Sequence, residues 1–187
     1  MKNTPLSMIV VLSCVCLVVS AILGFANYLT KDKIAEIAEQ KIQNAMLEII
    51  PDSQFDSVEI SNDSELDALY EAKSSDGSLK GVCAQITVTG SVSDITLIVG
   101  VSSDNKISGV KITSINETAG LGSKANDANW LKQFEGQTGP LNLAKNKAET
   151  ESDIIAISGA TETSRAVTNA VQTALDCAND YLGGVTK

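Results

Sequence analysis

Residues 157–165 read ISGATETSR, a stretch that sets four hydroxyl side chains, Ser158, Thr161, Thr163 and Ser164, around Gly159 and Ala160. Two kinds of chemistry suit such a segment. Hydroxyls at a helix start accept hydrogen bonds from backbone N–H groups that have no partner inside the helix, and a glycine beside them lets the chain turn tightly. The same N–H groups, with the positive end of the helix dipole, hold a phosphate; the dipole contributes about 0.3–1 kcal/mol at an exposed site. Arg165, one turn in, would add positive charge. Both readings stand on the residues alone. The chain contains neither GxxxxGK[ST] nor GxGxxG, so neither a P-loop nor a dinucleotide-fold phosphate site is indicated.

A turn of this kind needs a strand before it and a helix after it. Ile154 to Ile157 is a short apolar run suited to a strand. From Thr163 to Leu182, Ala166, Val167, Ala170, Val171, Ala174, Leu175 and Leu182 recur at helical spacing, and Gly183-Gly184 is expected to close the helix. Upstream, FDSVEI, LDALYEA, KGVCAQITVTG, DITLIVGVS and KISGVKITSI have strand character over Gln54 to Ile115. Turn signals at Asp76-Gly77 and Asp104-Asn105 separate some of them, and Ser102 to Lys106 reads as a hairpin connection. Residues 116 to 150 lose strand periodicity, with a short helix expected at Trp130 to Phe134. Successive strands followed by helices predict an α+β domain on an antiparallel sheet.

Residues 3 to 30 carry no charge, a run long enough to cross a bilayer. A cleaved signal peptide is the competing reading, since Lys2 precedes the apolar core; the length of the core and the lack of a clear small-x-small cleavage site near its end favour a retained anchor. Leu12-Ser13-Cys14 suggests lipidation only weakly, because the apolar run continues past Cys14. Beyond it, Ile34, Ile37, Ile42, Met46 and Ile49 or Ile50 mark one helical face that Pro51 ends. The expected division is an anchor over 1–30, an amphipathic stalk over 31–50 and a domain over 51–187. The stalk would pack on its own domain or dock partner subunits. Lys2 on one side and Lys31 and Lys33 on the other leave orientation open.

Basic and acidic residues balance through residue 50, so the whole net charge of −9 falls on residues 51–187. Such a domain repels nucleic acid. The chain has no histidine, which removes Ser-His and Cys-His catalysis and most zinc sites. Its cysteines, Cys14, Cys16, Cys83 and Cys177, show no CxxC spacing, so no metal or iron-sulfur site is expected. Cys83 and Cys177 would pair outside the cytoplasm or remain buried thiols. Asn62-Asp63-Ser64 and Asn116-Glu117-Thr118 are nominal glycosylation sequons of a kind that arises by chance.

Ser158-Gly159-Ala160-Thr161, continuing to Thr163-Ser164 after a short apolar strand, resembles the flavinylation motif of a known FMN-binding domain. That domain is shared by the G subunit of the Rnf electron-transport complex and the C subunit of the sodium-pumping NADH:quinone reductase. Glu117-Thr118-Ala119-Gly120-Leu121-Gly122 is similar to the family's E-T-P-G-L-G loop, and Trp130 to Phe134 matches the Trp-Leu-x-x-Phe segment that follows it. The resemblance spans the anchor and nearly the whole domain. It implies FMN esterified through its phosphate to Thr161 by a separate flavin transferase, with Ser158, Gly159, Ala160, Thr163 and Ser164 around the phosphate. It also implies that Glu117, Thr118, Gly120, Leu121 and Gly122 line the flavin. The chain would then be a single-pass electron-transfer subunit in the cell membrane, its domain extracytoplasmic, working with the other membrane and peripheral Rnf subunits and not catalytic alone. Its short length favours the Rnf subunit over the quinone-reductase subunit. Three positions depart from the pattern: Ala119 replaces the usual proline, Ile115 a frequent histidine and Ile155 a frequent aspartate. Asp153 is the nearest substitute for that aspartate, and a transferase that reads the missing carboxylate would modify this chain poorly. A tethered flavin-binding sensory module outside any complex is the reading from another class. A pilin-like structural protein is disfavoured, since no acidic residue interrupts the start of the apolar run and no leader-peptidase site is evident.

Overall fold

The strand-forming runs pair, in the computed structural model of the chain, as a five-stranded antiparallel meander in sequence order. Its strands are β1 (Gln54–Val58), β2 (Ala68–Lys73), β3 (Leu79–Thr89), β4 (Asp94–Ser102) and β5 (Ile107–Ile115). The structure describes residues 5–60, 65–145, 147–150 and 152–185; Lys2 and the Asn62-Asp63-Ser64 triplet lie outside them. Each strand pairs with its neighbour in the chain, as expected where only short turns intervene. Gly77 and Asn105 take positive φ at the two turns the sequence marks.

Both faces of this sheet are apolar. On β4, Ile95, Leu97, Val99 and Val101 point to one face and Ile98 to the other; on β3, Val82, Ala84 and Ile86 oppose Cys83. The first face is covered by α3 (Thr161–Val185) through Val167, Ala170, Val171, Ala174, Leu175, Ala178 and Leu182. Three alanines in that stripe let the helix lie close to the strands. Its far end is tied down where the Tyr181 hydroxyl donates to Glu71 Oε1 at 2.7 Å, and Glu71 pairs with Lys73 at 2.6 Å.

The second face is covered by the last turns of α1 (Pro5–Ile49). Ala45, Met46, Ile49 and Ile50 are buried there with Ala72, Cys83 and Ile98. Gly100 and Gly109, directly paired across β4 and β5, form the seat: a Cβ on Gly100 would collide with Ile49 Cγ2. Lys80 Nζ donates to the carbonyls of Pro51 and Asp52 at 2.9 Å each, just past the helix end, and Lys111 pairs with Glu48. The compact unit of the sheet accordingly begins at Ile42, and the described residues up to Lys41 form a unit of their own. Within α1 a stretch from Ser7 is long and apolar enough to cross a membrane.

Several expectations need correction. The last helix starts at Thr161, two residues before Thr163, and runs through Gly183-Gly184 to Val185. Neither glycine takes the positive φ that ends a helix, and a Cβ on either would meet nothing. Residues 142–144, read as lacking strand character, form β6 (Asn142–Ala144), which pairs in parallel with β7 (Asp153–Ile155). Three residues are too few to display a period. The Trp130 segment is helical as expected, α2 (Ala128–Leu131) passing into a 3-10 turn over Lys132–Phe134. Cys83 and Cys177 do not pair. They lie on opposite faces of the sheet as free thiols, and burial pushes Cys83 up to about 12, so it stays protonated.

The Gly100 seat makes a testable demand. Gly100→Ala should lower unfolding free energy by about 1–3 kcal/mol through overpacking against Ile49. Gly183→Ala should raise it by about 0.5–1 kcal/mol, as expected for a helical glycine in open space. Urea unfolding of the detergent-solubilised chain, followed by its single tryptophan, measures both; an unchanged midpoint in Gly100→Ala would refute the seat.

Candidate functional site

β7 delivers the chain to Ile157, and the turn that follows is held from inside by one hydroxyl. Ser164 Oγ donates to the Ala160 carbonyl at 2.9 Å and accepts from Ile157 N–H at 3.0 Å, fully buried. Gly159 takes φ +80° with Leu121 Cδ2 beside it. Helix α3 then begins at Thr161, which is half-buried. Among the described residues no hydrogen bond engages Thr161 Oγ1, Ser158 Oγ or the N–H groups of Thr161, Glu162 and Thr163. Free amides at a helix start, with an open hydroxyl on the first residue, are the donor set a phosphate requires.

Glu117 joins this turn to two other loops. Its Oε1 accepts from the N–H groups of Val92 (2.9 Å) and Ser93 (3.3 Å), and its Oε2 accepts from the buried Thr163 hydroxyl (3.3 Å). Two glycines leave room for the carboxylate: a Cβ on Gly90 would collide with Oε1, and one on Gly122 would lie 2.6 Å from Oε2. Burial raises the pKa of Glu117, but the N–H groups of Val92, Ser93 and Ser91 and the Thr163 hydroxyl together outweigh it. The carboxyl therefore titrates below the ordinary glutamate range and is ionised.

The profile of the FMN-binding domain family matches residues 90–176, from the Gly90 turn through most of α3. The G subunit of the Na(+)-translocating ferredoxin:NAD(+) oxidoreductase complex of Acetobacterium woodii is 32% identical over 181 residues, covering 86% of each chain. The chain belongs to this G-subunit family. The G subunit of the ion-translocating oxidoreductase complex of Aliivibrio fischeri (strain MJ11) is 30% identical, covering 88% of this chain and 86% of its own. Among solved structures, Shewanella oneidensis NqrC has a similar fold, with TM-score 0.53 and 23% identity over 68% of this chain and 69% of its own.

The G-subunit fold gathers the residues singled out in the sequence, but not with one orientation. Ser158 and Gly159 are exposed beside half-buried Thr161, and Ala160 is buried beneath them. Thr118, Gly120 and Leu121 are exposed in a turn closed by Leu121 N–H to the Thr118 carbonyl at 3.1 Å, with Gly120 N–H bonded to Ser123 Oγ. Gly122 is buried against Glu117. Thr163 and Ser164 turn inward and cap none of the first amides of α3. Arg165 pairs with Glu162 at 2.6 Å, its charge partly neutralised at the surface. At the departing positions, Ala119 lies in the exposed turn, Ile115 packs on the core, and Ile155 is exposed. Asp153 Oδ2 accepts from the N–H groups of Glu149 and Thr150 at 2.8 and 2.9 Å, a local bond that occupies the nearest substitute carboxylate.

Two sets of contacts were not read from sequence. The Gly90–Ser93 turn supplies donors to Glu117, and its only sequence signal is the glycine closing a strand. Trp130 Nε1 donates to the Ile155 carbonyl and Gln133 Oε1 accepts from Ile155 N–H, both at 2.8 Å, which grips the strand entering the turn. A lone tryptophan whose N–H needs a partner was the available hint.

Because the folded-state pKa of Glu117 is depressed, its contribution to stability is complete above the unfolded value of about 4.3 and is lost as pH falls through the folded value. The stability gap between the wild-type chain and Glu117→Gln should therefore be widest at neutral pH and shrink below about pH 4. Urea midpoints from pH 7 to pH 3 test this, and a pH-independent gap contradicts it.

Proposed function

We propose that the chain is a membrane-anchored electron-transfer subunit that carries FMN as a phosphoester on Thr161, in an ion-translocating ferredoxin:NAD oxidoreductase complex of the Rnf type. The observation that carries this reading is the division of labour among the hydroxyls. Thr163 and Ser164 are consumed by buried bonds, whereas Thr161 offers an unengaged hydroxyl beside three free amides of the α3 start. Those amides suit a phosphate in a domain whose charge is otherwise strongly negative. Gly159 and the neighbouring Leu121 are both exposed, so the turn lies at the surface.

Attachment needs an activated phosphate, because an ester does not form from a free phosphate in water to a useful extent. Thr161 Oγ1 would bond to the flavin-side phosphorus of a flavin dinucleotide, the bond from that phosphorus to the nucleoside monophosphate would break, and the hydroxyl proton would leave to a base of the transferase. Once held, FMN supplies the one- and two-electron redox chemistry, while the protein supplies position and surroundings. A covalent tether also prevents loss on the extracytoplasmic side, where the reading puts the domain. Relatives that match most of the chain are G subunits, whereas the likeness to NqrC is one of fold, so the Rnf-type protein is favoured over its quinone-reductase counterpart.

Coexpression with a flavin transferase, followed by SDS denaturation and in-gel flavin fluorescence, tests the site. Thr161→Ala should abolish the signal and Thr163→Ala should retain it at end point; a fluorescent Thr161→Ala chain rules the assignment out. Copurification with multi-span membrane proteins separates the complex member from a tethered sensory module.

A further inference from the structure

We propose that Glu117 is a positioning residue for the modification of Thr161, and that its carboxylate acts through Thr163 without touching the flavin. This rests on the covalent-site reading above. The resemblance puts Glu117 in the flavin lining, but the structure turns its side chain inward. Both oxygens are occupied by protein donors, Oε1 by the amides of Val92 and Ser93 and Oε2 by Thr163 Oγ1. The space around them is closed by Gly90 and Gly122, where even a methyl group would collide with the carboxylate.

The consequence for Thr161 is geometric. Three loops, 90–93, 117–122 and 158–163, meet at one carboxylate, and the third reaches it by the side chain two residues beyond Thr161. On a helix, neighbours two apart face different directions. When Thr163 is drawn inward to Glu117, Thr161 is held outward at the helix start, its hydroxyl away from the buried network. A hydrogen bond to an ionised acceptor is stronger than one between neutral groups, and removing either partner leaves the other buried without it. Ser164 fixes the backbone of the same turn from the other side, so the Glu117–Thr163 bond has the separate task of setting rotation at the first turn.

The chain with its α1 helix, in detergent and incubated with flavin transferase, a flavin dinucleotide and magnesium, gives the initial rate of SDS-stable fluorescence. Thr163→Val and Glu117→Gln should each slow loading by about tenfold, the scale of a lost hydrogen bond to a charged group. The double variant should be no slower than either single one, as expected for two partners in one bond. Thr163→Ser, which keeps the hydroxyl, should load at close to the wild-type rate. Once fully loaded, Glu117→Gln should show the wild-type flavin absorption spectrum. If Thr163→Val does not fold, Thr163→Ala removes the same hydroxyl with no methyl in its place and carries the same expectation. Wild-type loading rates in the single variants, multiplicative slowing in the double variant, or an altered flavin spectrum in Glu117→Gln each overturn the proposal. The Thr161→Ala chain separates this from the earlier reading: flavin uptake by that chain overturns the attachment site. Wild-type loading of Thr163→Val while Thr161→Ala is inert overturns the positioning role alone.

Discussion

A sheet with two apolar faces must be covered twice, and in this chain the cover comes from helices on either side of it in sequence. Helix α3 takes one face and the final turns of α1 the other. The strands β3 and β4 alternate between these two cores, so neither helix can be removed without exposing buried aliphatic side chains to water. The presentation of Thr161 follows from this arrangement. Burying the Val167 to Leu182 stripe fixes where α3 lies, and its first residue then falls beside the loops at the ends of β3 and β5.

Charge is used sparingly at that junction. Glu117 is one ionised group satisfied by backbone and hydroxyl donors, and among the described residues no cation pairs with it. A lysine partner would have brought a long, mobile side chain into a tight space; amides are already held in place by the strand ends. The arrangement gives the negative centre its donors without drawing on the first amides of α3.

Much of this was legible in the sequence, for physical reasons. Strands β3, β4 and β5 are long and β-branched, so their period and turns are visible, and the α3 stripe shows its helical spacing over several turns. Thr161 was singled out by motif resemblance, as was Glu117, but a motif marks a position and does not say which way a side chain points, and the bonds of Glu117 to Val92, Ser93 and Thr163 were not legible in it. Strand β6 was hidden because three residues carry no periodic signal. The inward roles of Thr163 and Ser164 were hidden because a hydroxyl near a helix start caps or plugs with equal ease, and only the packing decides. The separation of Cys83 from Cys177 required knowing which face of the sheet each occupies.

The Gly100–Gly109 seat bears on how the domain can be cut free of its membrane helix. Trimming the chain at Pro51, the obvious break in the sequence, would strip Ala45, Met46, Ile49 and Ile50 from the sheet and leave Ile98, Ala72 and Cys83 facing solvent. Such a fragment would present a flat, sticky patch and self-associate. A protease or an engineer that cuts on the amino-terminal side of Ile42 keeps the plug in place, and the released domain takes its own lid with it.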